Sequence, residues 1–101
     1  MDQPILRVLP EAVEEAQAAR QWYEVRSPAA ADAFMVELGA AMQRILETPD
    51  RFASYLHGTQ RCLLHRFPYL VVFRQTERFV DVIAIAHGSR RPAYWKQRSM
   101  E

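Results

Sequence analysis

The chain changes character near residue 60, from helical spacing of its apolar residues to β-branched, alternating runs. At the start, Ile5, Leu6, Val8 and Leu9 surround Arg7 and predict a short strand over Ile5–Leu9. Pro10 then suits the first turn of a helix, where its missing N–H leaves no bond unmade. Ala12, Ala16, Ala19 and Tyr23 recur at helical spacing, flanked by Val13 and Trp22, and predict a helix over 11–25. Glu11, Glu14 and Glu15 in its first turns favour the positive end of the helix dipole. Ser27-Pro28 is an N-cap followed by proline at the first helical position. Phe34, Leu38, Ala41 and Ile45 form one stripe of a second helix over 28–47, which Met35, Met42 and Leu46 widen. So short a link makes the two helices an antiparallel hairpin.

Residues 49–59 are expected as a loop whose Phe52, Tyr55 and Leu56 pin it over the core edge. Strands follow over Gln60–Arg66, Tyr69–Gln75 and Phe79–Ala86, and their short connections predict an antiparallel meander. The expected architecture is a single α/β domain over 1–101 in the two-layer α+β arrangement. Its order is strand–helix–helix–strand–strand–strand, with the helical hairpin on one face of the sheet. Whether the first strand pairs with the last is left open. Both sides of the meander are largely apolar: Arg61, Leu63, His65 and Phe67 alternate with Cys62, Leu64 and Arg66. A sheet with one helix layer normally leaves its other face to water. The excess apolar surface therefore marks a partner interface, unless loop 49–59 and the C-terminal segment cover it.

A chain of 101 residues, half of them apolar, buries one modest core. Three glycines and no low-complexity tract argue against disorder. No apolar run approaches the roughly 20 residues that span a bilayer. Met1-Asp2-Gln3-Pro4 has neither a basic region nor a long apolar one, so no signal peptide is expected. Cys62 is the single cysteine, which excludes an internal disulfide and a cysteine zinc cluster and fits a reducing cytoplasm. The net charge of +1 hides an asymmetry: residues 1–50 carry −5 and residues 51–101 carry +6. A basic sheet end can meet nucleic acid or an acidic peptide, although solubilising helix faces alone also produce such a split.

The chemistry-bearing residues gather after the last strand, in His87-Gly88-Ser89-Arg90-Arg91-Pro92-Ala93-Tyr94-Trp95-Lys96-Gln97-Arg98. Cations and stacking rings at one sheet end suit a phosphate, a base or an acidic segment. Plainer roles are a structural hydrogen bond for His87, a core cap for Trp95 and a solvated tail for Arg98. His57 and His65 have no partner at ligand spacing, so no metal is expected, and nothing calls for a cofactor. Glu77 and Asp81 are isolated, which argues against a paired-carboxylate hydrolase. No glycine-rich phosphate loop or Ser–His–Asp signature is present.

Several pieces together resemble the RelE/ParE superfamily of bacterial type II toxin–antitoxin toxins. They are Trp22-Tyr23, Ile45 through Pro49, Arg61, Phe67-Pro68-Tyr69 with Val71-Val72-Phe73, and His87-Gly88-Ser89-Arg90-Arg91-Pro92. The resemblance implies a small toxin neutralised by a cognate antitoxin. Its RelE-like branch cleaves mRNA in the ribosome; its ParE-like branch is linked to inhibition of DNA gyrase. A nuclease of the first kind would use Arg61, His87, Arg90 and Tyr94. However, Leu63 and Leu70 stand where that branch has cations, and Tyr94 misses the usual aromatic spacing. Each lost electrostatic donor costs about 10²–10³ in rate. The His-Gly-Ser-Arg ending is closer to the ParE-like, plasmid-stabilisation branch, so a gyrase-directed toxin is expected. The alternatives are the ribosome-dependent nuclease and an inactive relative that only binds antitoxin as co-repressor. On the favoured reading Arg90, Arg91, Tyr94, Trp95 and Arg98 meet the target. Arg61, Arg66 and Arg74 meet an acidic or amphipathic antitoxin. Truncation before Arg90 is expected to remove toxicity and spare the fold.

Overall fold

The computed structural model describes residues 3–98. Strand β1 (Ile5–Val8) is followed by α1 (Pro10–Arg26) and α2 (Pro28–Glu47). Strands β2 (Ala53–Ser54), β3 (Gln60–Leu63), β4 (Tyr69–Gln75) and β5 (Phe79–His87) complete one sheet of order β1-β5-β4-β3-β2. β3, β4 and β5 form the expected antiparallel meander. β1 pairs with β5 in parallel, so the sheet is mixed rather than wholly antiparallel. The helical hairpin is the crossover that a parallel pair requires. Among the described residues no helix is long and apolar enough to cross a membrane.

Ser27 alone joins the helices. Its N–H donates to the Tyr23 carbonyl at 2.7 Å and closes α1, and its Oγ accepts from the Ala30 N–H at 3.2 Å and opens α2. Ala12 and Ala19 are the buried residues of α1, while α2 buries Phe34, Leu38, Ala41 and Ile45. Cys62, Val71 and Ile85 are partners in register and share the face toward the helices, where Arg44 of α2 reaches the Cys62 sulfur at 3.6 Å. Burial raises the Cys62 thiol above its ordinary pKa despite Arg44, which makes it a poor nucleophile.

Two expectations are corrected, and one irregularity is added. The second strand ends at Leu63 rather than Arg66, because the His65 and Arg66 N–H groups leave the ladder and donate to the Glu37 carboxylate of α2. Loop 49–59 is not a plain loop: it contains two short 3-10 turns and β2, which pairs with β3. Simple alternation also fails in the last strand. Val72 faces Ala84 and Phe73 faces Val82, leaving Ile83 as an extra residue in a bulge. The bulge resets the alternation, so Val80 and Val82 join Leu6 and Val8 in register.

Much of the helix-free face is covered from within the chain, although Leu63 on it stays exposed. Trp95 is 2% exposed and packs 6.0 Å from Tyr55 and 6.2 Å from His57, ring centre to ring centre. The chain reaches Trp95 through Ala93 at φ 63°, a left-handed conformation that disfavours a Cβ by roughly 1–2 kcal/mol. A truncation before Arg90 would therefore uncover the core instead of sparing the fold. Trp95→Ala is expected to lower unfolding stability by about 3–5 kcal/mol, the usual loss for a buried large aromatic. Urea denaturation measures it, and a change below about 1 kcal/mol would show that the segment is only a loose cover.

Candidate functional site

At one end of the sheet, rings from four elements and from the link before β4 meet. Phe67 stands edge-on to Tyr23 of α1 at 5.0 Å and to Phe34 of α2 at 5.4 Å. Tyr69 is edge-on to Phe34 at 5.3 Å and to His87 at 5.0 Å. Such edge-to-face pairs add about 0.5–1.5 kcal/mol each beyond area burial. Three of these rings, Tyr23, Tyr69 and His87, line an open cleft of about 410 Å³ between α1 and the sheet end, together with Glu15, Trp22 and Arg90 among others. Trp22 is half exposed at its rim, with Arg26 stacked 3.6 Å above the ring.

The polar side of the cleft is organised by Glu15. β1 ends at Val8, so β5 beyond Val82 has no neighbour on that edge. Glu15 accepts there from the Ile85 N–H at 3.0 Å, from the Tyr94 hydroxyl and from the Arg98 guanidinium at 2.9 and 3.0 Å. Arg98 also donates to the Ile83 carbonyl at 3.1 Å. Burial, and then the bond to Glu15, hold the Tyr94 phenol far above its ordinary pKa, so it keeps its proton. Arg90 lies 3.9 Å over one Tyr94 ring and Arg98 5.1 Å from its centre. His87 Nδ1 accepts from the Ser89 N–H at 3.0 Å, which assigns the ring proton to Nε2.

The structure separates the residues that sequence reasoning grouped. His87, Arg90 and Tyr94 share the cleft end. Arg61 does not: it follows the opposite alternation from Cys62, Val71, Ile85 and His87, and lies 5.0 Å over Tyr55 on the helix-free face. Arg90 and Arg91 part company, Arg90 toward α1 and Arg91 toward a pocket with His57 and Lys96. Trp95 is buried and Arg98 is engaged by Glu15, so neither presents a free surface. Arg74 donates to the His57 carbonyl at 3.3 Å, and Arg66 is held by Glu37 at 3.3 Å. Leu63 and Leu70 are partners in register, one apolar pair where two cations would be needed.

Sequence reasoning missed Glu15 as an organiser and Glu37 altogether. Both sit three residues after a buried stripe residue, Ala12 and Phe34, and so fall on buried helix faces. An acid inside an apolar stripe was the available signal.

The fold matches a solved structure described as "Chromosomal ParDE TA system from P. aeruginosa", with a TM-score of 0.74 at 17% identity. The match covers 84% of this chain and 96% of that one, and it defines the class as a small α+β fold shared with a toxin–antitoxin system component. The model of the family "ParE toxin of type II toxin-antitoxin system, parDE" matches residues 6–92, and the chain belongs to that family. Toxin ParE2 of Mycobacterium tuberculosis, in strains CDC 1551 / Oshkosh and ATCC 25618 / H37Rv, is 32% identical over 53 residues. That stretch is 52% of this chain and 50% of the relative, so the chain spans about half the length of the curated relatives it matches.

Glu37 gives the cleft wall a pH dependence. Burial works to raise its carboxyl, but the bonds from the His65 N–H, the Arg66 N–H and the Arg66 guanidinium together outweigh it, and the net shift is down. A depressed carboxyl contributes stability above its unfolded pKa and loses it as pH falls through the folded one. Protection of the His65 and Arg66 amides, taken against intrinsic exchange at each pH, is therefore expected to fall below about pH 4. Glu37→Gln should flatten that dependence; an unchanged profile would show that the clamp is not the titrating group.

Proposed function

We propose that this chain is a toxin that acts on DNA gyrase by binding, and that a cognate antitoxin neutralises it in the cytoplasm. Membership of the ParE family supports the toxin and its antitoxin. The observation that carries the choice of target is the failure of a nuclease centre to assemble. Arg61 is on the opposite face from His87, about 14 Å away by strand spacing. The Leu63–Leu70 pair can neither hold nor polarise a phosphate. Tyr94 keeps its proton and is spent on Glu15, so it is no base for a ribose hydroxyl. What the cleft does offer is a recognition surface: the exposed Arg90, the His87 ring and the half-exposed Trp22 at one rim. Exposed tryptophan and arginine beside a cleft are the usual anchors of protein recognition.

A second observation supports a docking site for the antitoxin on the helical layer. The helix-free face is already largely covered, which removes the reason for docking the antitoxin there. Most of the exposed large apolar side chains among the described residues, Val13, Trp22, Val25, Met35 and Val36, lie on the helices instead. Val13 and Met35 rim a groove of about 320 Å³ between α1 and α2, floored by Ala12, Ala16, Leu38 and Met42. A groove of this form fits the apolar face of an amphipathic helix.

Purified chain is expected to inhibit gyrase supercoiling, with Arg90→Ala or Trp22→Ala weakening inhibition by about tenfold, the effect of losing one contact worth ~1.4 kcal/mol. Ribosomes programmed with mRNA should show no cleavage. Codon-positioned cleavage lost in Arg61→Ala or Arg90→Ala would overturn the choice in favour of the nuclease.

A further inference from the structure

A second cluster of cations occupies the helix-free face, across the sheet from the cleft. Arg61 is the register partner of Val72, two residues before Arg74, so their Cα atoms stand roughly 8 Å apart by strand spacing. Arg74 donates to the carbonyl of His57, and His57 lines an open pocket of about 410 Å³ together with Arg91 and Lys96. Contacts through Tyr55, Trp95 and His57 thus connect four cations into one surface. None of the four forms an ion pair among the described residues. The acid that shares this face, Asp81, is buried and engaged by Arg7 at 2.7 Å. Exposed acids such as Glu11, Glu14, Asp32 and Glu47 lie on the helical layer. A molecule charged in this way turns one side toward a polyanion.

We propose that this face docks on the phosphate backbone of duplex DNA. Single-strand binders rely on free aromatic platforms for base stacking. Here Trp95 is buried, and Tyr55 lies under Arg61 and against Trp95. Protein partners are held by apolar or aromatic anchors in pockets. Of the large apolar side chains on β3, β4 and β5, Leu63 alone is exposed among the described residues. Cations with no free ring and a single exposed strand leucine beside them contact phosphates and read no bases, so the binding is independent of sequence.

Fluorescence anisotropy of a labelled duplex of about 20 base pairs, titrated with the full chain at several salt concentrations, tests the proposal. It requires neither gyrase nor antitoxin, so its outcome is separate from that of the target assay. The expected dependence of log affinity on log salt has a slope of about −3.6, from four phosphates at about −0.9 each. Arg91→Ala with Lys96→Ala changes two exposed side chains and should reduce that slope by about 1.8. Arg20→Ala on the helical layer should leave it unchanged. Thermal melts establish that each variant is folded. No binding at about 50 mM salt, or a slope indifferent to the Arg91 and Lys96 changes, would overturn the proposal. Tighter binding of a single strand, or of a glutamate-rich peptide, would reassign the face to that partner.

Discussion

The interior strand β5 has too few neighbours, and the rest of the structure answers that shortage. It is buried along nearly its whole length, yet its parallel partner β1 leaves it after Val82. Buried backbone N–H and C=O groups must find partners, at a penalty of about 1–3 kcal/mol for each left unmade. Glu15 and Arg98 supply them to Ile85 and Ile83. The same carboxylate takes the Tyr94 hydroxyl, and Tyr94 carries Arg90 on its ring. The geometry of the cleft is thus a consequence of sealing a strand edge. Sealing also denies that edge to a foreign strand, the usual hazard of an open sheet.

Fixing Tyr94 and Arg98 on one side of β5 fixes what lies between them. Trp95 is carried to the other side, where it closes the core against Tyr55 and His57. The C-terminal segment therefore straddles the sheet edge, and this divides the neighbouring arginines. Arg90 enters the α1 cleft and Arg91 the pocket of the opposite side. Two surfaces of different character result: one rimmed by exposed tryptophan and arginine, the other cationic without free rings.

The elements were legible because apolar spacing is dictated by burial, and burial here follows simple stripes and runs. Phe34, Leu38, Ala41 and Ile45 mark α2, and Ser27-Pro28 marks the hairpin by its capping chemistry. The parallel pairing of β1 was not legible, since pairing depends on contacts distant in the chain, such as Leu6 with Val80. Nor was the bulge at Ile83, where one isoleucine in a β-branched run looks like any other. The end of β3 was misjudged for a related reason. Arg66 continues the alternation, but Glu37 from another element captures its N–H. Of the candidate site, residue types and the sheet end were readable, while the face occupied by Arg61 and the burial of Trp95 required the fold.

The distribution of free and engaged polar groups bears on what the cleft can do. A catalyst needs groups able to exchange protons or hold a transition state, and these must not be consumed by the fold. Here Glu15, Tyr94 and Arg98 are bound to one another and to the β5 backbone. His87 commits Nδ1 to Ser89. Arg90 retains donors, and Trp22 retains an exposed ring. A surface whose polar centre is rigid and whose rim is free is suited to recognition, because little side-chain freedom is lost when a partner docks. The same rigidity works against turnover. The tie between the β5 edge and Glu15 therefore leaves the cleft better suited to docking than to proton transfer, which is the physical ground of the proposal made above.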